Sequence, residues 1–228
     1  MLNANTETFL ACDAPYEQAN VVLFGAPYDS TTSFRPGTRF GPHAIRSESF
    51  GLESYSPYQD RDLTDYAILD SGDLELRFGG PESALAEIEA CADGILQDGK
   101  VPFLLGGEHL VTLGAVRACA KRHPDLHIIH FDAHTDLRED YLGEPLSHAC
   151  VIRRCWDLLG DERIYQFGIR SGDREEWRWG KDHVRTQRFN TEGLAQIVEK
   201  LRDKPVYFTL DLDVLDPTVF PGTGTPEP

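Results

Sequence analysis

The sequence predicts an α/β fold on a mainly parallel sheet. Short, nearly continuous apolar runs recur along the chain, as strands buried on both faces require, and longer segments with helical apolar spacing separate them. The length of 228 residues is enough for one substantial core, so a single domain over 1–228 is expected.

The runs, in order, are VVLFGAP (21–27), YAILDSG (66–72), VPFLLGG (101–107), LHIIHFDAH (126–134), RIYQFGIRSG (163–172) and PVYFTLDLDV (205–214). Each is read as a strand. Between the first two, residues 30–61 are rich in Gly, Pro, Ser and Arg without periodicity. They predict a long loop with one helical turn near 42–47. PESALAEIEACADGILQDG (81–99) puts Leu85, Ile88, Cys91, Ala92 and Ile95 on one helical face, with Pro81 suited to the first turn and Gly99 to a stop. Residues 109–123, 147–160 and 191–203 carry the same spacing and are read as helices.

The formal charge of −16, from 38 acidic and 22 basic side chains, leaves no basic cluster to follow a phosphate backbone, so nucleic acid is not expected as a partner. An acidic surface favours cationic ligands and metal ions, although solubility alone explains it equally well. The five cysteines are scattered without a CxxC pair, which fits reduced thiols in a cytoplasm. The start, MLNANTETFLACDAPYEQ, has no basic beginning and no apolar run, and no stretch of about 18 apolar residues occurs. Secretion and membrane spanning are therefore not expected.

Three strand ends carry residues able to bind metal. The run at 126–134 passes into Asp132-Ala133-His134-Thr135-Asp136, where alternate residues of an extended chain face one side. The run at 205–214 offers Asp211 and Asp213 in the same way. The run at 101–107 ends in Gly106-Gly107-Glu108-His109, in which the glycines permit a close turn under a bound ion. Carboxyl ends of parallel strands are where such sheets place ligands. Four aspartates held together repel one another, and burying them requires cations. With two histidines they suffice for two ions sharing carboxylates, an arrangement that activates water for hydrolysis. Oxygen-rich ligation without cysteine suits Mn²⁺ first, with Fe²⁺, Co²⁺ and Zn²⁺ as alternatives.

Each motif alone has a bland explanation, since aspartates at strand ends often only cap the next turn. Three such ends in one sheet, two of the aspartates inside an apolar run, make coincidence a poor account. His148 follows Ser147 in a polar stretch and could shuttle protons, but its spacing alone reads as an exposed loop histidine. His43, His123, His127, His130 and His183 are assigned to core or surface, and Trp156, Trp177 and Trp179 to packing or a subunit interface. The loop 35–42 could hold an anion, but a structural loop is preferred.

GGEH at 106–109, DAHTD at 132–136, SHA at 147–149 and DLDVLDP at 211–217 followed by PGTGTPEP resemble the ureohydrolases, the arginase and agmatinase family. SFRPGTRFGPHAIR at 33–46 resembles that family's N-terminal segment, so the resemblance runs from about Val21 to the end. It implies an arginase-like three-layer α/β/α sandwich, a trimeric or hexameric homo-oligomer, two Mn²⁺ per subunit, and hydrolysis of a small cationic guanidinium substrate to release urea. By position, His109, Asp132, Asp136 and Asp211 would hold one ion, and Asp132, His134, Asp211 and Asp213 the other. Asp136 would take a proton from the attacking water, and His148 matches the family's catalytic, substrate-binding histidine. The Asn that arginases use for the substrate carboxylate is missing from 137–145, where the sequence resembles bacterial agmatinases instead; Glu139, Asp140 and Glu144 would favour an amine there. Agmatine cleaved to putrescine and urea is the leading expectation, ahead of guanidinobutyrate, arginine, formiminoglutamate or a metal-binding subunit without activity. Ala149 departs from the Gly of many relatives. The resemblance also places the family's last strands and helices, with the Glu that grips the guanidinium, beyond Pro228.

Overall fold

The computed structural model describes residues 7–228. All six anticipated strands form: β1 (Val21–Ala26), β4 (Ile68–Asp73), β5 (Val101–Gly106), β6 (His127–Phe131), β7 (Ile164–Ile169) and β9 (Val206–Leu210). The anticipated helices are α2 (Pro81–Gln97), α3 (Val111–Arg122), α4 (Val151–Leu159), which follows a 3-10 turn at His148–Cys150, and α6 (Leu194–Lys200). The region 30–61 is more structured than its composition suggests. It contains α1 (Gly41–Ser49) and a small antiparallel pair, β2 (Tyr55–Ser56) with β3 (Arg61–Asp62). Arg46 of α1 is buried in a two-point ion pair with Asp70 of β4, with Nε–Oδ2 at 2.7 Å and Nη2–Oδ1 at 2.9 Å. That pairing fixes a helix whose apolar face is too sparse to hold it.

Two elements carry no apolar signal: α5 (Arg174–His183) and β8 (Arg185–Arg188). α5 starts with a capping box in which Asp173 and Glu176 exchange hydrogen bonds with each other's backbone amides. The sequence RTQR of β8 is polar because it forms a sheet edge.

The larger strands pair in parallel in two sets, β4-β1-β5 and β8-β7-β6-β9. Strand alternation divides the core between two faces. Val22, Phe24, Ile128 and Ile164 point into a large cluster with α2, α3 and α4, whereas Ile129, Tyr165 and Phe167 pack with Leu194 and Ile197 of α6. Helices thus cover both faces, giving the expected three layers. Each fully buried side chain such as Leu85 or Ile128 contributes roughly 1.5–3 kcal/mol.

The edges β5 and β9 belong to different sets, and both line a cavity of about 1520 Å³ that α3 flanks. Phe103 and Phe208 are 53% and 58% exposed there. These side chains are thus uncovered on a face that the continuous apolarity of their strands implies is buried. The carboxyl ends of β5, β6 and β9 open on this same cavity.

Candidate metal centre

β6 and β9 pair with His130 opposite Thr209 and Phe131 opposite Leu210, so the residues that follow, Asp132 and Asp211, emerge side by side. The ladder continues one step, with Asp211 N–H donating to Phe131 O at 2.8 Å and Asp132 N–H to Phe167 O at 3.2 Å. Gly168 makes this approach feasible. It sits in a β7 irregularity at φ +85°, where a Cβ would lie 2.5 Å from Val214 Cγ2.

His109 Nδ1 lies 2.9 Å from Asp132 Oδ2, 3.0 Å from Asp136 Oδ2 and 3.6 Å from Asp211 Oδ2. His134 Nδ1 lies 3.0 Å from Asp213 Oδ2 and 3.5 Å from Asp132 Oδ1. Two groups result, His109–Asp132–Asp136 with His130 nearby, and Asp132–His134–Asp213, with Asp132 common to both. Asp211 stands at the rim, its Oδ1 accepting the Asp213 N–H at 3.0 Å. All six residues anticipated as ligands therefore lie in one region, five of them in compact groups.

Gly107 is needed for a different reason from the one its motif suggests. A Cβ there would sit 1.9 Å from Tyr28 O, so the glycine admits the chain after β1 rather than an ion. His109 is held from behind, its Nε2 3.0 Å from Thr209 Oγ1, which lies 3.1 Å from Thr112 Oγ1.

His130, assigned from sequence to core or surface, backs the cluster. Gln166 Nε2 donates to Thr135 O at 2.8 Å, and a carbonyl can only accept, which fixes the amide orientation. The same nitrogen then faces His130 Nδ1 at 3.1 Å as a donor, so His130 Nε2 carries the hydrogen it gives Asp132 Oδ2 at 2.8 Å. A donor so engaged orients a ligand and does not bind an ion itself. Its position two residues before Asp132, on the same strand face, is the signal that marks it.

Asp136 has a left-handed backbone (φ 52°). Its carbonyl accepts the N–H groups of Ile152 and Arg153, both at 3.1 Å, capping α4. The flanking segment is clamped by Glu176 of α5, which accepts from Thr135 Oγ1 at 2.5 Å and Leu137 N–H at 3.0 Å.

The protonation pattern fits a cation site. Burial and the Asp132 charge raise Asp136 and Asp211 to about 7 and Asp213 to about 6. Burial opposes charge on His134 and His109, but Asp132 and Asp213 raise the first to about 11, and Asp132 and Asp136 raise the second well above its ordinary value. Burial also opposes ionisation of Asp132, yet the His109, His130 and His134 rings beside it hold it well below the usual carboxylate range. In the metal-free chain, protons supply the positive charge the carboxylates need. His109 Nδ1 is moreover a buried nitrogen without a well-directed hydrogen bond. Divalent cations fit these residues.

His148 is half-buried on the cavity wall rather than exposed in a loop. Its Nε2 lies 3.3 Å from Ser33 Oγ, and its ring meets Tyr141 edge-on with centroids 5.8 Å apart. Glu139, Asp140 and Glu144 have partners of their own outside the cavity wall. Glu139 faces Arg153 at 2.6 Å, Asp140 and Glu144 accept nearby backbone amides, and none of the three lines the cavity. Trp156 and Trp179 pack edge-on against each other. All five cysteines are free thiols, and no helix among the described residues is long and apolar enough to cross a membrane.

The arginase family model matches residues 19–228. The chain is 51% identical to an agmatinase of Bacillus subtilis over 96% of its own length and 76% of the relative's. The crystal structure of an agmatine ureohydrolase of Thermoplasma volcanium superposes with TM-score 0.88 at 38% identity, covering 99% of this chain and 78% of that one. An arginase from Medicago truncatula aligns with TM-score 0.80 at 27% identity, covering 92% and 71%. Family match, shared architecture and the aspartate–histidine cluster agree: the chain belongs to the arginase family.

Proposed function

We propose that this protein is a manganese-dependent agmatinase, cleaving agmatine to putrescine and urea. The observation that carries this reading is the largely buried cluster of His109, Asp132, His134, Asp136 and Asp213 at the carboxyl ends of three strands. The choice of substrate is supported by the identity to the Bacillus subtilis agmatinase and by the absence from 137–145 of the asparagine that arginases use. His109, Asp132, Asp136 and Asp211 would hold one ion, and Asp132, His134, Asp211 and Asp213 the other. A pair of divalent ions supplies, when bound, the Lewis acidity that brings the ionisation of water into the neutral range.

The remaining chemistry falls to side chains. Asp136, a carboxylate of the cluster, would accept a proton from the attacking water. His148 returns a proton to the nitrogen that leaves the guanidinium carbon. One C–O bond forms, one C–N bond breaks and one water is consumed. Oxygen-rich ligands favour Mn²⁺ over softer-ligand ions.

Urea release from agmatine and from arginine by Mn²⁺-loaded protein tests this reading. Agmatine turns over faster than arginine, and Asp132→Ala removes the activity. Faster arginine cleavage overturns the substrate. Metal uptake without urea from any guanidino compound leaves a metal-binding subunit in place of an enzyme.

A further inference from the structure

Glu108, next to His109 in the chain, is 5% exposed and has no Lys or Arg within ion-pair distance among the described residues. Burial opposes the charge of such a carboxylate, and hydrogen bonds to it work the other way. They come from one residue, Thr31, 77 positions away. The Thr31 N–H lies 3.2 Å from both carboxylate oxygens, and its hydroxyl lies 2.6 Å from Oε1.

A threonine hydroxyl has one hydrogen, and here it is given to Glu108. Toward everything else Thr31 Oγ1 can only accept. It accepts the backbone N–H of His148 at 3.1 Å, pinning the turn that carries this histidine, and faces the ring Nδ1 at 3.5 Å. At 3.5 Å, the outer limit of a hydrogen bond, a ring nitrogen facing a hydroxyl whose hydrogen goes to Glu108 pairs with it only as the donor. His148 is then protonated at Nδ1, and its other nitrogen, Nε2, faces Ser33 on the cavity wall.

We propose that Glu108, acting through Thr31, is a positioning residue that fixes the placement and tautomer of His148, so that Nε2 is the atom exchanging a proton with the substrate. The last step rests on the proposed role of His148 in ureohydrolysis. The tautomer does not depend on that role. An acid behind a histidine sets which nitrogen works, and its amide counterpart presents the wrong one. Glu108→Gln keeps the shape but offers an N–H to Thr31 Oγ1, turning the hydroxyl around so that it donates to Nδ1.

The test is ¹⁵N NMR of the His148 ring in the metal-free protein, alongside urea kinetics of the Mn²⁺-loaded protein. The wild type is expected to show hydrogen on Nδ1, and Thr31→Ser the same pattern. Glu108→Gln should move the hydrogen to Nε2 and lower kcat by about tenfold or more, with KM within about twofold. Thr31→Val, near in shape, should lose the Nδ1 preference with little change in thermal midpoint. A wild-type ring protonated at Nε2, or a tautomer indifferent to Glu108→Gln and Thr31→Val, overturns the relay. Correct tautomers without urea release leave the relay standing and overturn only the catalytic role of His148.

Discussion

The two halves of the aspartate–histidine cluster are held by different means. His109, Asp132 and Asp136 are buried and braced by side chains from the interior: His130 behind Asp132, Thr209 behind His109, and Glu176 around the Asp136 segment. His134 is more open, and its half, with Asp213, is held by loop residues. Ala133 N–H donates to Asp213 Oδ1 at 3.1 Å, Thr225 Oγ1 donates to Oδ2 at 3.2 Å, and the Arg170 guanidinium binds the carbonyls of Asp213, Val214 and Glu227 at 2.9, 3.1 and 2.7 Å. A site braced from the core resists disturbance of its loops, whereas one braced by loops does not, so the halves should fail separately.

Asp132 is the residue that should abolish the distinction, because it belongs to both halves. Asp132→Ala is expected to cost on the order of a thousandfold or more in urea release and to remove both metal equivalents; retention of one equivalent would show that the halves do not share it. His130→Phe sharpens the contrast by withdrawing the donor behind Asp132, with metal affinity falling about 10–100-fold in calorimetric titration. An unchanged titration would leave His130 a buried residue without a part in metal binding. Arg170→Gln loosens the loop-held half alone, so about a tenfold weaker binding of one equivalent is expected, with the other unaffected. Equal weakening of both would erase the comparison.

The smallest expected effect is on thermal stability. Asp136 and Asp211 at about 7 and Asp213 at about 6 hold protons in the folded, metal-free chain that the unfolded chain has released above its ordinary carboxylate pKa. Their contribution is therefore lost as pH rises from about 4 to 7. That of His134 is full below about 6.5 and lost as pH rises to about 11. Added Mn²⁺ displaces these protons, so its gain in thermal midpoint should grow by a few degrees between about pH 5.5 and 8. A gain that shrinks over that range would mean the metal is held elsewhere.

The strands and the residues of the aspartate–histidine cluster were legible in the sequence because burial writes itself into local apolarity, and a carboxylate inside an apolar run needs an explanation. α5 was less visible because REEWRWGKDH has almost no apolar face; its legible signal was the Asp173-x-x-Glu176 capping box. β8 had none, since an edge strand of polar residues resembles a loop. The roles of His130 and Thr31 depend on partners 36 and 117 residues away, a distance at which spacing carries no information. The acidic stretch around Glu139 shows the converse: its charges are obvious in sequence, but the arginines of α4 that pair with Glu139 become neighbours only in the fold.

The left-handed backbone of Asp136 has an evolutionary consequence. One residue supplies a carboxylate to the cluster and a carbonyl to the start of α4, in a conformation that side chains other than Asn and Asp adopt at a cost of about 1–3 kcal/mol. Glycine relieves the backbone but forfeits the carboxylate, asparagine keeps the shape but loses the charge, and glutamate keeps the charge but strains the turn. None of these three replacements supplies everything aspartate does at position 136, so variation there is expected to be narrower than in the surrounding loops.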